Sequence, residues 1–368
     1  MGCVPKEKIG QAIMGALEQH VELVKGKNSE YENSDEFLVW VWAGVNQVSV
    51  QQASRDLEDL GYDVPSGDTI LTTMSNQPYD ILEKGFDKIF EDLIAKAKEK
   101  QLFDKPVTLA IDYTDIEWYG DELPFIIKSK SKNGTNKFIR FATIAVVEDG
   151  KRFTLKVLPV TPLSTKEKVV EELIEFAQEL VDIEVILFDR GFYTNKVVEM
   201  VKNLKESFIM PVKKQGKAKE KMKDSYLNGP LEYEMSKGAK YTMMTIKDKQ
   251  KDKLLPYATN LDDKPINVHK FYKSRFGIET QYRVKNKFMG RTCSKKYKIR
   301  YTFFVLAVCL YNMWILINIS ERGKKGLNPD KVPIRVDDLK HMCRKIVYLK
   351  SPSSSKMSQK PSETTGLF

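Results

Sequence analysis

Two apolar runs, VTLAI at residues 107–111 and IEVILF at residues 183–188, decide the fold of this chain. Both are short and rich in branched apolar residues, which is typical of strands buried on both faces of a sheet. Each run is followed directly by an aspartate, Asp112 in the first case and Asp189 in the second. Because neighbouring parallel strands bring equivalent ends together, we expect the two carboxylates to lie side by side. The alternative is that each aspartate is a simple turn residue.

The segments around these two runs predict a mixed α/β fold. Further strand patterns are found at residues 138–147, 153–160, 208–212 and 241–246. Helical periods are found at residues 166–181, 270–290, 299–320 and 335–347. The lysine-rich segment KKQGKAKEKMK at residues 213–223 is predicted to be a solvated loop. This order of strands and helices indicates a sheet with mixed strand directions.

The chain length of 368 residues exceeds what one hydrophobic core usually serves, so we expect more than one domain. Residues 1–100 predict an all-helical N-terminal domain, and residues 101–347 predict an α/β domain. Residues 205–263 are expected to form a β-rich insertion in this second domain. Residues 348–368 contain SPSSSK and KPSETT stretches and are expected to be a disordered tail.

The N-terminal part carries the outline of a helix-turn-helix. Apolar residues at helical spacing run from Val50 to Leu60 behind a capping Ser49, and a second short helix starts near Ser66. The second helix would present four polar side chains to DNA, namely Thr69, Thr72, Thr73 and Asn76. It carries no Lys or Arg, and residues 1–100 hold 10 basic against 18 acidic side chains. An ordinary helical bundle is therefore the alternative.

Positive charge is concentrated towards the C-terminus. The formal net charge is +10, and residues 264–325 hold 15 basic side chains against two acidic ones, Glu279 and Glu321. This imbalance predicts a polyanionic partner. The three histidines and four scattered cysteines contain no CxxC pair, which argues against a zinc site and indicates a reduced, intracellular compartment. The apolar run at residues 301–319 is interrupted by two asparagines, so we expect a buried core helix and not a membrane span.

Glu279 lies in the segment FYKSRFGIETQYRVKNKF at residues 271–288 and is the only acidic residue between Asp263 and Glu321. On one continuous helix it shares a face with four other side chains, those of Tyr272, Arg275, Arg283 and Asn286. A carboxylate among cations and an aromatic ring fits a metal ligand that faces a DNA phosphate. The alternative is a surface glutamate in salt bridges with its arginine neighbours.

Together with Asp112 and Asp189, Glu279 completes a candidate set for phosphodiester cleavage. That reaction needs an activated oxygen nucleophile and stabilisation of the departing alkoxide. Two Mg²⁺ ions about 4 Å apart supply both, and Mg²⁺ prefers carboxylate oxygens. Asp115 is an alternative to Asp112, because several acidic residues crowd the segment after the first strand.

At these residues the sequence resembles the DDE transposases of prokaryotic insertion sequences, in particular the subgroup with a Tyr-x2-Arg-x3-Glu-x6-Lys signature. Tyr272, Arg275 and Glu279 match that signature in type and spacing. The closing lysine is absent, because position 286 is Asn with Lys285 and Lys287 on either side. The segments FDRGFY at 188–193 and IDYTDIEWYGDE at 111–122 are similar to the second-Asp and first-Asp motifs of the same enzymes. Of the two lysines, we favour Lys287 as the replacement.

The resemblance implies an RNase H-like catalytic domain over roughly residues 100–320, with the β-rich insertion between the second Asp and the Glu. It implies that Asp112, Asp189 and Glu279 hold two Mg²⁺ (or Mn²⁺) ions. Water would first hydrolyse a strand at the end of the element, and the freed 3′-hydroxyl would then attack target DNA. The expected DNA-binding residues are Tyr272, Arg275, Arg283, Lys285, Lys287 and Arg291.

The expected partners are double-stranded DNA, both the terminal inverted repeats of the element and the target, and further copies of the chain in a dimer or larger assembly. We expect a cytoplasmic, nucleoid-associated protein without a membrane partner. Two other classes are compatible with the same residues. One is a DNA-binding derivative of a transposase that has lost catalysis, and the other is a different DNA nuclease of the RNase H-like type.

Overall fold

The computed structural model describes residues 9–248, 252–328 and 331–345. Five helices precede the first strand: α1 (Ile9–His20), α2 (Asn33–Asn46), α3 (Val50–Asp59), α4 (Gly67–Asn76) and α5 (Tyr79–Glu99). Seven more follow within the described ranges: α6 (Lys166–Leu180), α7 (Asn195–Asn203), α8 (Lys217–Asn228), α9 (Pro265–Ser274), α10 (Phe276–Lys285), α11 (Tyr297–Lys325) and α12 (Val336–Arg344). The predicted disordered tail at 348–368 lies outside the described residues.

The strands of these ranges form a single mixed sheet. They are β1 (Val107–Trp118), β2 (Ile127–Lys132), β3 (Thr135–Val146), β4 (Phe153–Val160), β5 (Ile183–Phe188), β6 (Phe208–Pro211), β7 (Leu231–Glu234), β8 (Lys240–Asp248) and β9 (Lys253–Thr259). The order across the sheet is β2-β3-β1-β5-β6-β9-β8-β7, and β4 pairs with β3 on the same edge as β2. The predicted fold class, a mixed α/β fold preceded by helices, is confirmed.

The centre of the sheet is parallel and its flanks are antiparallel. β1 pairs with β5 and β5 with β6 in parallel, while β3 and β9 run antiparallel to their neighbours. β6 therefore belongs to the central sheet, and β7 to β9 extend the same sheet beyond it. Residues 205–263 thus contribute four strands to this one sheet, and their role as a β-rich insertion remains a prediction.

Helix α11 is the central packing element of the fold. Its Phe304 ring stacks on Phe141 of β3 with ring centroids 4.3 Å apart. Its Tyr301 ring meets the Phe86 ring of α5 edge to face, with centroids 6.3 Å apart. The fully buried Asn312 exchanges hydrogen bonds with the backbone N–H and C=O of Thr154 on β4, at 3.0 and 2.8 Å. The helix is long and apolar enough to cross a membrane, but 83% of its most apolar 18-residue stretch is buried inside the protein. The expectation of a buried core helix is confirmed.

The N-terminal helices share this core. One continuous hydrophobic cluster contains residues of α1 to α5, of α11 and of the sheet. The helix-turn-helix outline fits less well, because α3 and α4 are joined by residues 60–66, which is longer than the turn of about three to four residues in that motif. On α4, Thr69, Thr72 and Asn76 are exposed. The boundary at residue 100 and a DNA-reading role for α4 remain predictions.

Two local predictions are wrong. The lysine-rich segment at 213–223 is not a loop, because α8 begins at Lys217 and buries Ala218 and Met222 at helical spacing. Asp112 does not end its strand either. β1 continues to Trp118 because residues 109–118 pair antiparallel with β3 along their whole length.

Candidate active site

The parallel pairing of β1 and β5 places Asp112 and Asp189 next to each other. Ile111 is in register with Phe188, so the residue that follows each of them lies at the same edge of the sheet. Asp189 directly follows β5 and precedes a short 3₁₀ helix over Arg190–Phe192. The Asp112 carboxylate accepts a hydrogen bond from the backbone N–H of Tyr113 at 2.8 Å.

Helices α9 and α10 bring the third carboxylate to this edge. The helix predicted at 270–290 is interrupted at Arg275, where i−3 hydrogen bonds join Arg275 to Tyr272 and Ile278 to Arg275. Gly277 lets α10 approach β3, since a Cβ at this position would lie 2.7 Å from the carbonyl oxygen of Val147. The buried Gln281 side chain donates to the Val146 carbonyl at 2.8 Å. This anchoring sets the position of Glu279.

Arg275 forms ion pairs with two of the three carboxylates, those of Asp112 and Glu279. Its Nη1 lies 3.2 Å from Asp112 Oδ2, and its Nη2 lies 2.9 Å from Glu279 Oε1. The side chain is 7% exposed, and its Nε has no hydrogen-bond partner among the described residues. Burial disfavours the charged guanidinium, but Tyr272 and the three carboxylates outweigh it and raise the pKa of Arg275.

The three carboxylates lie within electrostatic reach of one another. Burial is the main reason that the pKa of Asp112 rises to about 6; the Arg275 guanidinium lowers it, and the charges of Asp189 and Glu279 raise it. Like charges gathered at one strand edge favour a divalent cation. Within the described residues, no group of three or more His, Cys, Asp or Glu side chains is arranged so that it could hold a metal ion. The charges fit a metal ion, and the Arg275 guanidinium lies between the Asp112 and Glu279 carboxylates.

The other acidic residues of β1, and those between β1 and β2, pair with other side chains. Asp115 forms a two-pronged ion pair with Arg140, at 2.7 and 2.8 Å. Asp115 is an odd number of positions from Asp112, so the two side chains point to opposite faces of the sheet. Glu117, Asp121 and Glu122 are engaged by Asn133, Lys295 and Lys128 in turn. These contacts favour Asp112 over Asp115 as the candidate.

Five of the six expected DNA-binding residues fall into two groups. Tyr272 and Arg275 line a cavity of about 950 Å³ together with Asp189. The side chains of Arg283, Lys287 and Arg291 are exposed outside it.

Lys285 is a correction to the expected set. It is 1% exposed, its Nζ has no hydrogen-bond partner among the described residues, and it lies 4.7 Å from the centre of the Tyr282 ring. Burial lowers its pKa to about 7. Because α10 turns this side chain towards α11, it does not reach a phosphate in this structure.

Two residues at the site were not identified from the sequence. The Tyr282 hydroxyl donates to the backbone carbonyl of Asp112 at 3.3 Å and shares a 2.6 Å hydrogen bond with Thr143. Lys166 donates to the carbonyl of Gly191 at 2.7 Å, two residues after Asp189. The spacing of Glu279 and Tyr282 on one helix was a usable signal for the first; the second depends on a tertiary contact.

Comparisons with known proteins identify a family and a similar fold. The profile of a family described as the transposase DDE domain matches residues 104–313, which is more than half of the chain. A cryo-EM structure of piggyBac transposase in a synaptic complex with hairpin DNA is similar in fold, with a TM-score of 0.60 and 14% identity over 95% of this chain and 82% of that one. A Mos1 transposase paired-end complex with the left transposon end matches 51% of this chain and 61% of that one, at 14% identity and a TM-score of 0.19, too low to support an argument. No curated protein matches the chain.

Proposed function

The chain belongs to the DDE transposase family, and from this premise we propose that it cuts DNA at the ends of a mobile element and joins the freed ends to target DNA. Water is the nucleophile of the first step, and the resulting 3′-hydroxyl is the nucleophile of the second. Each step displaces one oxygen of a phosphodiester by another, in line. No covalent bond to the protein is needed.

The observation that carries this proposal is the meeting of Asp112, Asp189 and Glu279 at one sheet edge. They come from two parallel strands and a helix, and their charges act on one another across the site. All three lie inside the region that matches the family profile. We propose that they hold Mg²⁺ or Mn²⁺, which supplies the positive charge that activates the nucleophile and stabilises the leaving oxygen.

The remaining residues bind and position the substrate. Arg275 carries its positive charge into the centre of the site and has an unpartnered Nε, which suits it to hold a phosphate oxygen when the DNA enters. Tyr272 lines the same cavity as Asp189 and Arg275. Tyr282 holds the backbone of Asp112, so it is a positioning residue. Charge and orientation, and not a protein nucleophile, would carry the rate.

We further infer that the substrates are the inverted repeats of the element and duplex target DNA, and that two or more copies of the chain act together on them. The piggyBac structure that shares this fold is a synaptic complex with hairpin DNA. Membership of the prokaryotic insertion-sequence subgroup with the Tyr-Arg-Glu-Lys signature remains part of the proposal, because Asn286 stands where the lysine is expected.

The test is a cleavage assay with purified protein, Mg²⁺ and labelled DNA taken from the borders of the gene. The wild type should cut at a fixed position, and Asp189→Asn should abolish cutting while DNA binding persists. Arg335→Gln is the control. It removes the charge of an exposed side chain at the N-cap of α12, and this variant should cut normally. Binding without metal-dependent cutting would identify an inactive derivative, and cutting at no fixed position would identify a general nuclease. Either result overturns the proposal.

A further inference from the structure

A second cavity, of about 1080 Å³, begins four residues after Asp189, at Tyr193. It is bounded by the starts of α6, α7 and α8 and by β7 with the turn that follows it. Five lysines contribute to its wall: Lys166, Lys196, Lys213, Lys217 and Lys237. None of them belongs to the set expected from the sequence to bind DNA, and the mechanism above uses none of them.

The charge of this cavity is positive and mostly unneutralised. Its two acidic side chains are already paired, Glu167 with Lys196 at 2.7 Å and Glu234 with Lys240 at 3.6 Å. For the other four lysines, no carboxylate of residues 9–248, 252–328 or 331–345 lies within ion-pair distance. Four ammonium groups from separate elements therefore line one space, and none of them has a counterion among the residues that the structure describes.

The helices that surround the cavity add to this positive potential. The residues that precede α6, α7 and α8 are Thr165, Thr194 and Gly216, and all three line the cavity. Three helices of 15, 9 and 12 residues thus direct their N-terminal N–H groups, the positive ends of their dipoles, towards it. The lysines are the main source of charge, and the helix ends reinforce them.

The cavity is connected to the candidate active site by Lys166. Its ammonium donates to the Gly191 carbonyl at 2.7 Å, in the 3₁₀ turn that follows Asp189. Lys213 lies just after β6, the neighbour of the strand that ends at Asp189. An anion in this cavity would therefore lie beside the turn that follows Asp189.

We propose that this cavity binds the sugar-phosphate backbone of the DNA strand that leads to Asp189, an inference that rests on the proposed function. Lysine ammonium groups bind phosphates as point charges and do not read bases. Cations spread over α6, β6, α8 and the turn after β7 suit successive phosphates of a polymer better than one compact anion. The strand belongs either to the element end or to the target, which share this chemistry.

The experiment compares two triple variants of the full-length chain without divalent metal. The cavity variant is Lys213→Gln, Lys217→Gln and Lys237→Gln, and it spares Lys166 because of its contact near Asp189. The control variant removes the same charge from α5 through Lys88→Gln, Lys96→Gln and Lys98→Gln, which are exposed and line neither cavity. DNA affinity is measured by fluorescence anisotropy over a range of salt, with a duplex from the borders of the gene and with an unrelated duplex.

We expect the cavity variant to bind about tenfold more weakly and to lower the slope of log affinity against log salt by about 2 to 3, since each lost phosphate contact contributes about 0.9. The control should keep the wild-type slope. Loss on both duplexes identifies target-type backbone contacts, and loss on the border duplex alone identifies the element end; both support the proposal. Equal slopes for the two variants overturn it. A wild type that binds DNA normally here but does not cut it in the cleavage assay with Mg²⁺ overturns the proposed function alone.

Discussion

The guanidinium of Arg275 bridges Asp112 and Glu279, 3.2 Å from the first carboxylate and 2.9 Å from the second. The bridge joins β1 to α10 across a site that also contains the negative charge of Asp189. In this arrangement the protein itself supplies the cation that balances the carboxylates. Much of the behaviour of the site follows from this one contact.

Replacement of Arg275 by Ala should destabilise the metal-free protein and leave the metal-loaded protein less affected. Removing the guanidinium leaves the mostly buried Asp112 carboxylate without its cation, at a cost of about 3 kcal/mol. The half-exposed Glu279 carboxylate contributes little to this cost. Added Mg²⁺ would compensate the same carboxylates. Denaturant unfolding in EDTA and in Mg²⁺ measures the difference, with the exposed Arg283→Ala on the adjoining helix α10 as control. An equal loss in both buffers would contradict this prediction.

Replacement of Lys285 by Met should stabilise the protein near neutral pH, with a gain that declines in alkali. Burial depresses the pKa of Lys285 from 10.5 to about 7 in the folded protein. Between these pH values the unfolded chain binds the proton and the folded chain does not, so wild-type stability rises with pH through this window. The advantage of Met should therefore be a few kcal/mol at pH 7 or below and should shrink as the pH approaches 10.5.

The matched control for this change is Lys287→Met, two residues along the chain and exposed to solvent. Its effect on the free energy of unfolding should be within about 0.5 kcal/mol of zero. A Lys285→Met gain that does not vary with pH would mean that Lys285 is not buried as a neutral amine.

Replacement of Tyr282 by Phe should lower the cleavage rate more than DNA affinity, because the hydroxyl holds the backbone of Asp112 and touches no substrate. The loss of its hydrogen bonds should cost about 1 kcal/mol of stability. Thr143→Val removes the other partner of the hydroxyl, so the two changes should couple by about 0.5 kcal/mol or more in a double-mutant cycle. Additive effects, or a loss confined to affinity, would rule out this positioning role.

Replacement of Gly277 by Ala should move α10 away from β3 and reduce cleavage. The added methyl group would lie 2.7 Å from the Val147 carbonyl, which is backbone and cannot turn aside. We expect a loss of about 1 to 3 kcal/mol in stability. Gly323→Ala on α11 is the control, since no described atom lies within 4 Å of its added Cβ, and it should be neutral or mildly stabilising. Equal effects of the two changes would show that the close approach at Gly277 is unimportant.

The sequence predicted the central strands well because each was a continuous apolar run with a turn signal beside it. The neighbouring positions of Asp112 and Asp189, which follow the paired residues Ile111 and Phe188, were predicted from those two runs. The extension of β1 to Trp118 was missed because its second half, TDIEW, alternates with acidic residues that suggested a turn region.

Helical errors arose where charged residues occupy buried or interrupted positions. The lysines of α8 concealed the buried spacing of Ala218 and Met222. On α10, Ile278, Gln281 and Lys285 form the buried face at spacings of 3 and 4, yet two of the three are polar. The break at Arg275 was not predicted, and the close approach of Gly277 to the Val147 carbonyl beyond it is a tertiary contact.

Helix α11 lies between the N-terminal helices and the sheet, and its side chains are shared by both. A fragment that begins after residue 100 would leave the aromatic flank of this helix, including Tyr301, open to water and prone to aggregate. The two regions should therefore lose their structure in one cooperative step, because neither can keep its apolar side chains buried without the other.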